Sequence, residues 1–189
     1  CVCISTNKQL NHYFEGGAME DLYEAVKDLF DDETLSKLKV TIDRGAEFSI
    51  RSRQRDGEVL LVVKASIDEG TSANTVKRME FEEPVAITLD ELDERILNAG
   101  FTYQAKGSRE REEDAYKGAS VSLDKNAGYG YLAEVEKIVH DEALADAVRA
   151  EIDEIMTELE IAELDQGSLT RMFDHYNQNW PDYYGTDKI

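Results

Sequence analysis

The chain has 189 residues, 21 Lys and Arg against 41 Asp and Glu, and a formal net charge of −20. That length suits one domain, or at most one and a half, and the acidic excess argues against a broad surface for nucleic-acid duplexes or anionic membranes, because its mean field repels polyanions. No apolar run reaches the roughly 18–20 residues that span a bilayer, and no signal peptide is visible.

Cys1 and Cys3 are the only cysteines. Two residues apart, they are poorly placed for a mutual disulfide, and no zinc-type spacing of Cys and His exists, so a reduced cytoplasm is the expected setting. A chain that begins with Cys reads as truncated rather than as carrying a lipid-modified amino terminus.

Residues 9–14 (QLNHYF) predict a short strand ended by Gly16-Gly17. Met19, Leu22, Val26, Leu29 and Phe30 recur at three- and four-residue spacing and predict an amphipathic helix. A shorter helical piece around Leu35 and Leu38 leads into Val40. Residues 41–53 then predict a strand ending in Arg51-Ser52-Arg53, and Asp56-Gly57 is a two-residue hairpin signal. Residues 59–65 (VLLVVKA) are the return strand, residues 66–74 a polar loop, and residues 76–87 alternate as another strand.

Thr88-Leu89-Asp90-Glu91 is a capping box that opens a helix through Leu92, Ile96 and Leu97, stopping at Gly100. Residues 101–113 and 116–123 predict two strands around a polar turn at Asp114. Residues 126–130 turn into a further strand holding Ala133-Glu134-Val135-Glu136. Residues 141–160 predict a helix, Ser168 caps a last one, and the aromatic tail from Trp180 packs on the body. About seven alternating strands without a βαβ rhythm predict an α+β domain built on an antiparallel sheet or barrel.

The charges on these strands come in pairs two residues apart, which places each pair on one strand face. Arg51 with Arg53 and Arg109 with Arg111 are the basic pairs, with Lys64 and Arg78 on neighbouring strands; Glu80 with Glu82 and Glu134 with Glu136 are the acidic ones, with Asp124 nearby. Either these faces are solvated and salt-bridged outside, or they line the inside of a barrel. In the second case, arginines suited to phosphate oxygens would stand beside carboxylates suited to a hard divalent cation. His12, among aromatics, reads as a packed residue, and His140 and His175 as helix-surface residues.

Several of these pieces, in this order, resemble the CYTH superfamily, the triphosphate tunnel metalloenzymes. They are Ile50-Arg51-Ser52-Arg53, Lys64 closing an apolar strand, Arg78-x-Glu80-x-Glu82, Arg109-x-Arg111, Leu123-Asp124, and Tyr129-Gly130-x-Leu132-x-Glu134-Val135-Glu136. The resemblance implies an antiparallel eight-stranded (here about seven) tunnel-like β-barrel with peripheral helices, in one domain over residues 1–189. It implies that Arg51, Arg53, Lys64, Arg109 and Arg111 contact the phosphates of a small-molecule triphosphate. Asp124, Glu134, Glu136, Glu80 and Glu82 would hold Mg²⁺ or Mn²⁺. The activity implied is triphosphate hydrolysis, with class IV adenylyl cyclase and non-catalytic polyphosphate or nucleotide binding as alternatives; the resemblance also leaves room for a homodimer. One departure is large. The family's Glu-x-Glu-x-Lys first strand is absent, and Cys1-Val2-Cys3-Ile4-Ser5 has its alternation without its chemistry, so the chain reads as lacking its first strand and helix or as a degenerate member.

Overall fold

The computed structural model describes residues 2–66, 78–139 and 144–189. Seven strands form one antiparallel sheet: β1 (Val2–Glu15), β2 (Glu47–Arg55), β3 (Glu58–Ser66), β4 (Arg78–Val85), β5 (Thr102–Tyr116), β6 (Ala119–Asn126) and β7 (Gly130–Glu136). Their order is β4-β3-β2-β1-β5-β6-β7, so β1 is central, and β4 and β7 are the two edges. The described residues form five α-helices, α1 (Met19–Val26), α2 (Asp32–Arg44), α3 (Leu89–Asn98), α4 (Ala145–Glu158) and α5 (Gln166–Asn179). This is the α+β architecture expected, with seven strands. Among the described residues, no helix is long and apolar enough to cross a membrane.

The hydrophobic core lies on one face of the sheet, under the first three helices. Phe14, Ile50, Leu61, Val63 and Phe81 from the strands pack with Leu22, Val26, Leu38, Leu92 and Ile96 from α1, α2 and α3. Burying each large aliphatic side chain stabilises the fold by about 1.5–3 kcal/mol. The unbroken apolar run of β3 follows from its surroundings. Leu61 and Val63 enter this core, while Leu60 and Val62, on the other face, stand opposite Arg53 and Arg51 in register and are also buried.

Several boundaries differ from the sequence expectation. β1 extends from Val2 rather than Gln9, because the equally long β5 pairs with it from Val2↔Ala115 to Glu15↔Thr102. β5 runs through Asp114 and turns instead at Lys117-Gly118, where φ is +49° and +75°. Helix α2 continues to Arg44, so β2 starts at Glu47 and not near residue 41. Asp165, not Ser168, caps α5, accepting from the Ser168 amide at 2.9 Å. The Thr88–Glu91 capping box and the Asp56-Gly57 turn stand as read. The end of strand 76–87 toward Val76, the loop beyond Ser66, His140 and the start of helix 141–160 lie outside the described residues.

His12 is buried outside the tunnel, on the sheet face that α3 covers. Its Nδ1 is 2.6 Å from Asp93 Oδ2 on α3, and its Nε2 is 2.6 Å from the Tyr184 hydroxyl. Asp93 also accepts from the hydroxyls of Ser52 and, at 2.6 Å, Tyr103. Burial pushes the Asp93 carboxyl up, but its hydrogen bonds from His12, Ser52 and Tyr103 outweigh this and hold it below its ordinary range. The cluster ties β1, β2, β5, α3 and the carboxy-terminal tail together.

Candidate functional site: a charged tunnel

On the face opposite the core, alternate residues of the strands turn toward one cavity of about 260 Å³. β4 and β7 both line it, although they are the two ends of the sheet, so the sheet curls around it. The lining holds seven basic side chains (Arg51, Arg53, Arg55, Lys64, Arg78, Arg109 and Arg111) and five acidic ones (Glu80, Glu82, Glu113, Glu134 and Glu136). Cations therefore prevail inside a chain whose net charge is −20. Nine of the ten residues singled out from the sequence line this cavity together. The tenth, Asp124, sits beside it, 3% exposed, bonded to two of the lining arginines.

Each wall has its own bonding. On the β5–β6–β7 side, Arg111 binds Asp124 through two nitrogens, at 2.7 and 2.6 Å, and donates to Glu134 Oε2 at 2.8 Å. Arg109 Nη1 donates to Asp124 Oδ2 at 2.7 Å. On the β2–β3–β4 side, Glu82 accepts from Arg53 at 2.7 Å and Arg55 at 3.3 Å, and Lys64 Nζ is 3.1 Å from Glu80. Arg51 is different. Its guanidinium lies 4.8 Å from the centre of the Tyr13 ring and its Nε donates to Ser49, and among the described residues no carboxylate pairs with it.

The electrostatics follow from this arrangement. Burial lowers the Arg53 guanidinium against the opposing pull of Glu82, whereas Arg111, also penalised by burial, is raised because Asp124 and Glu134 hold its charged form. Burial pushes the Glu134 carboxyl up, yet Arg111 and Arg109 outweigh it and leave it below its ordinary value. Glu136 goes the other way. Burial, then the charges of Glu134 and of Glu80 on the facing wall, hold its carboxyl above the ordinary value. Solvent still reaches Glu134 and Glu136, although protein walls them in.

These acids have the chemistry of a hard-cation site, since carboxylate oxygens are what Mg²⁺ and Mn²⁺ prefer. Glu136 carries an acid's charge with no ion pair among the described residues, and Glu134 and Glu80 are close enough to raise it. A preformed cage is not present: the one trio of potential ligands within 4.8 Å of one another among the described residues is Cys3, Glu112 and Asp114. That trio is on the opposite sheet face, out of phase with the tunnel-lining Glu113.

Sequence reading missed Arg55 and Glu113, which extend the two-residue spacing of Arg51 and Arg53 and of Arg109 and Arg111 by one step. It also missed the neutral wall. Asn7 and Gln9 line the cavity from the central strand, and Asn11 stands next in the same alternation. Farther along β1 and β5, a cluster of aromatics packs beside the sheet. Tyr176 of α5 donates to the Lys106 carbonyl at 2.8 Å and packs edge-on against Tyr129, near Gly107 and Tyr13. Gly128, at φ +89°, lets the tail pack against this cluster: a Cβ there would fall 2.7 Å from the Tyr183 ring and 2.8 Å from that of Tyr176.

Comparison with solved structures finds the same fold elsewhere. A conserved hypothetical protein from Pyrococcus furiosus superposes with a TM-score of 0.62 at 17% identity, over 86% of this chain and 78% of that one. A Pyrococcus horikoshii protein gives 0.62 at 21%, over 92% and 86%. A Vibrio parahaemolyticus protein, described provisionally as an adenylate cyclase, gives 0.58 at 14%, over 92% and 84%. Comparison with curated protein sequences finds no match. The sequence model of the CYTH domain matches residues 43–168, a span holding all ten singled-out residues and two thirds of the chain. With a triphosphate-binding tunnel fold and that match, the chain belongs to the CYTH domain family.

Proposed function

We propose that this chain binds a triphosphate in the tunnel together with Mg²⁺ or Mn²⁺ and hydrolyses it, acting on inorganic tripolyphosphate or an organic triphosphate. The observation that carries this reading is the reversal of charge, seven cations against five acids around one cavity in a strongly acidic chain. CYTH domains bind triphosphate substrates and depend on metal, which supports the same reading.

The arginines and Lys64 bind and orient phosphoryl oxygens; a guanidinium fork can meet two oxygens of one group. Arg51, with no carboxylate on it among the described residues, is the readiest of them. Glu82 and Asp124 hold the guanidinium groups of Arg53, Arg55, Arg109 and Arg111 in place. Glu134 and Glu136 from β7 and Glu80 from β4 would hold the metal. When bound, the metal neutralises phosphate charge and lowers the pKa of a bound water.

A second reading, binding without turnover, draws on one feature. The tunnel-side residues of β1, Ser5, Asn7, Gln9 and Asn11, are all neutral, so this strand presents neither a carboxylate nor a lysine to the tunnel. Incubation of the chain with tripolyphosphate and with ATP, each with Mg²⁺ or Mn²⁺, separates the possibilities by product. Metal-dependent release of phosphate supports hydrolysis. Cyclic AMP with pyrophosphate would instead assign the cyclase reaction, and calorimetric binding with no product would assign a binding module. Absence of both binding and turnover, with Arg51→Ala and Arg53→Ala without effect, would reject the triphosphate reading.

A further inference from the structure

The central strand sets Asn11 opposite Arg53 of β2 and Gln9 opposite Arg109 of β5. Each arginine donates its stem Nε–H to the amide oxygen facing it, Arg53 to Asn11 Oδ1 at 2.7 Å and Arg109 to Gln9 Oε1 at 2.8 Å. Because a guanidinium nitrogen can only donate, these bonds fix which amide atom is the oxygen. The amides are then joined to one another. Gln9 Nε2 donates to Asn7 Oδ1 at 2.8 Å, and Asn11 Nδ2 lies 3.5 Å from Gln9 Oε1. Gln9 and Asn11 are 3% and 2% exposed, so the ladder is a buried one.

Two properties of this ladder go beyond packing. A buried amide costs free energy unless it is hydrogen-bonded, and apolar side chains would fill the same space without that demand. An amide oxygen also holds Nε–H without cancelling the guanidinium charge, which a carboxylate would do. Arg53 and Arg109 are thus gripped at the stem by neutral groups that add no second negative charge to the one carboxylate each meets through Nη1, Glu82 or Asp124. Among the described residues, none accepts from Nη2 of either. Gln9 and Asn11, two residues apart, lie about 7 Å apart along the strand, so two charged groups are held at a fixed separation on either side of it.

We infer that Gln9 and Asn11 are positioning residues that set Arg53 and Arg109 to receive two phosphoryl groups of one chain, giving the tunnel a preference for polyphosphate over single phosphate. This rests on the phosphate reading of the tunnel. In it, the ladder's task is selectivity by chain length, and total charge is supplied elsewhere.

The test is calorimetric titration of the full chain, without added metal, with tripolyphosphate and separately with orthophosphate. Asn11→Leu and Gln9→Met remove the acceptors but leave every charge, and should lower tripolyphosphate affinity by about tenfold or more while orthophosphate affinity stays nearly unchanged. Asn11→Asp and Gln9→Glu keep the acceptor oxygen and the shape, so they remain informative if the apolar variants fail to fold. They should weaken both ligands, with affinity recovering as pH falls and the added carboxyl protonates. Asn11→Leu or Gln9→Met chains that bind tripolyphosphate and orthophosphate in the wild-type ratio would overturn the inference, as would carboxylate variants with no pH-dependent recovery. If the wild-type chain binds neither ligand, the phosphate reading fails and takes this inference with it; that result needs no variant and is told apart on that ground.

Discussion

Arg111 grips the Asp124 carboxylate with Nε on Oδ1 at 2.7 Å and Nη2 on Oδ2 at 2.6 Å, a two-pronged pair whose acid is 3% exposed. Arg109 shares the same carboxylate. Removing one member of a buried pair strands the other's charge, which costs about 3–5 kcal/mol. Asp124→Ala should therefore lower unfolding stability by that order in urea titration, and excess tripolyphosphate should restore much of the loss by giving Arg109 and Arg111 another anion. A substitution with little effect on stability would mean that the pair is not formed in solution.

Arg51 should separate binding from stability. Arg51→Ala loses its contact with the Tyr13 face, worth about 0.5–1 kcal/mol at such sites, yet should reduce tripolyphosphate affinity about tenfold or more. Thermal melting with and without ligand reads both quantities. A large loss of ligand-free stability in Arg51→Ala would contradict the bonding described.

Glu136 should make stability fall with rising pH. Its carboxyl is held above the ordinary value of 4.5 by burial and by Glu134 and Glu80, so between the unfolded and folded values the folded chain binds the extra proton, and stability drops as pH climbs through that window. Glu136→Gln should melt higher than the wild type above pH 4.5, with the difference vanishing toward that pH and levelling off once Glu136 is ionised in the folded chain. A difference independent of pH would refute it. Glu134 has the opposite sign, because Arg111 and Arg109 hold it below the ordinary value, and its contribution is lost as pH falls through its folded value.

Chelation should divide turnover from binding. With EDTA present, phosphate release should stop, while calorimetry still detects a weaker tripolyphosphate complex held by the arginines. Complete loss of binding would mean that the metal, not the guanidinium groups, anchors the phosphates.

The core makes an independent prediction. Leu92 is fully buried among the residues that pack α3 on the sheet, and Leu92→Ala should cost about 2–5 kcal/mol of unfolding stability. Tunnel affinity per folded molecule should be unchanged, because Leu92 lies on the opposite side of the sheet from the cavity.

Which charged residues share a strand face was legible from their spacing, because side chains alternate with a period of two and that spacing is local. Arg51 with Arg53, Arg109 with Arg111, and Glu134 with Glu136 could be paired from their numbers alone. The sequence also marked the Asp56-Gly57 turn and the Thr88 capping box, which depend on a few adjacent residues. It could not say whether those faces point to solvent or inward. The tertiary structure decided that: α1, α2 and α3 cover the apolar face, and the sheet curls until β4 and β7 line one cavity. Long-range pairing also fixed the length of β1, whose first residues gain strand form from β5 more than 100 positions away. The same pairing put Gln9 and Asn11 opposite Arg109 and Arg53, a relationship that needs three strands in register and leaves no mark in any one of them.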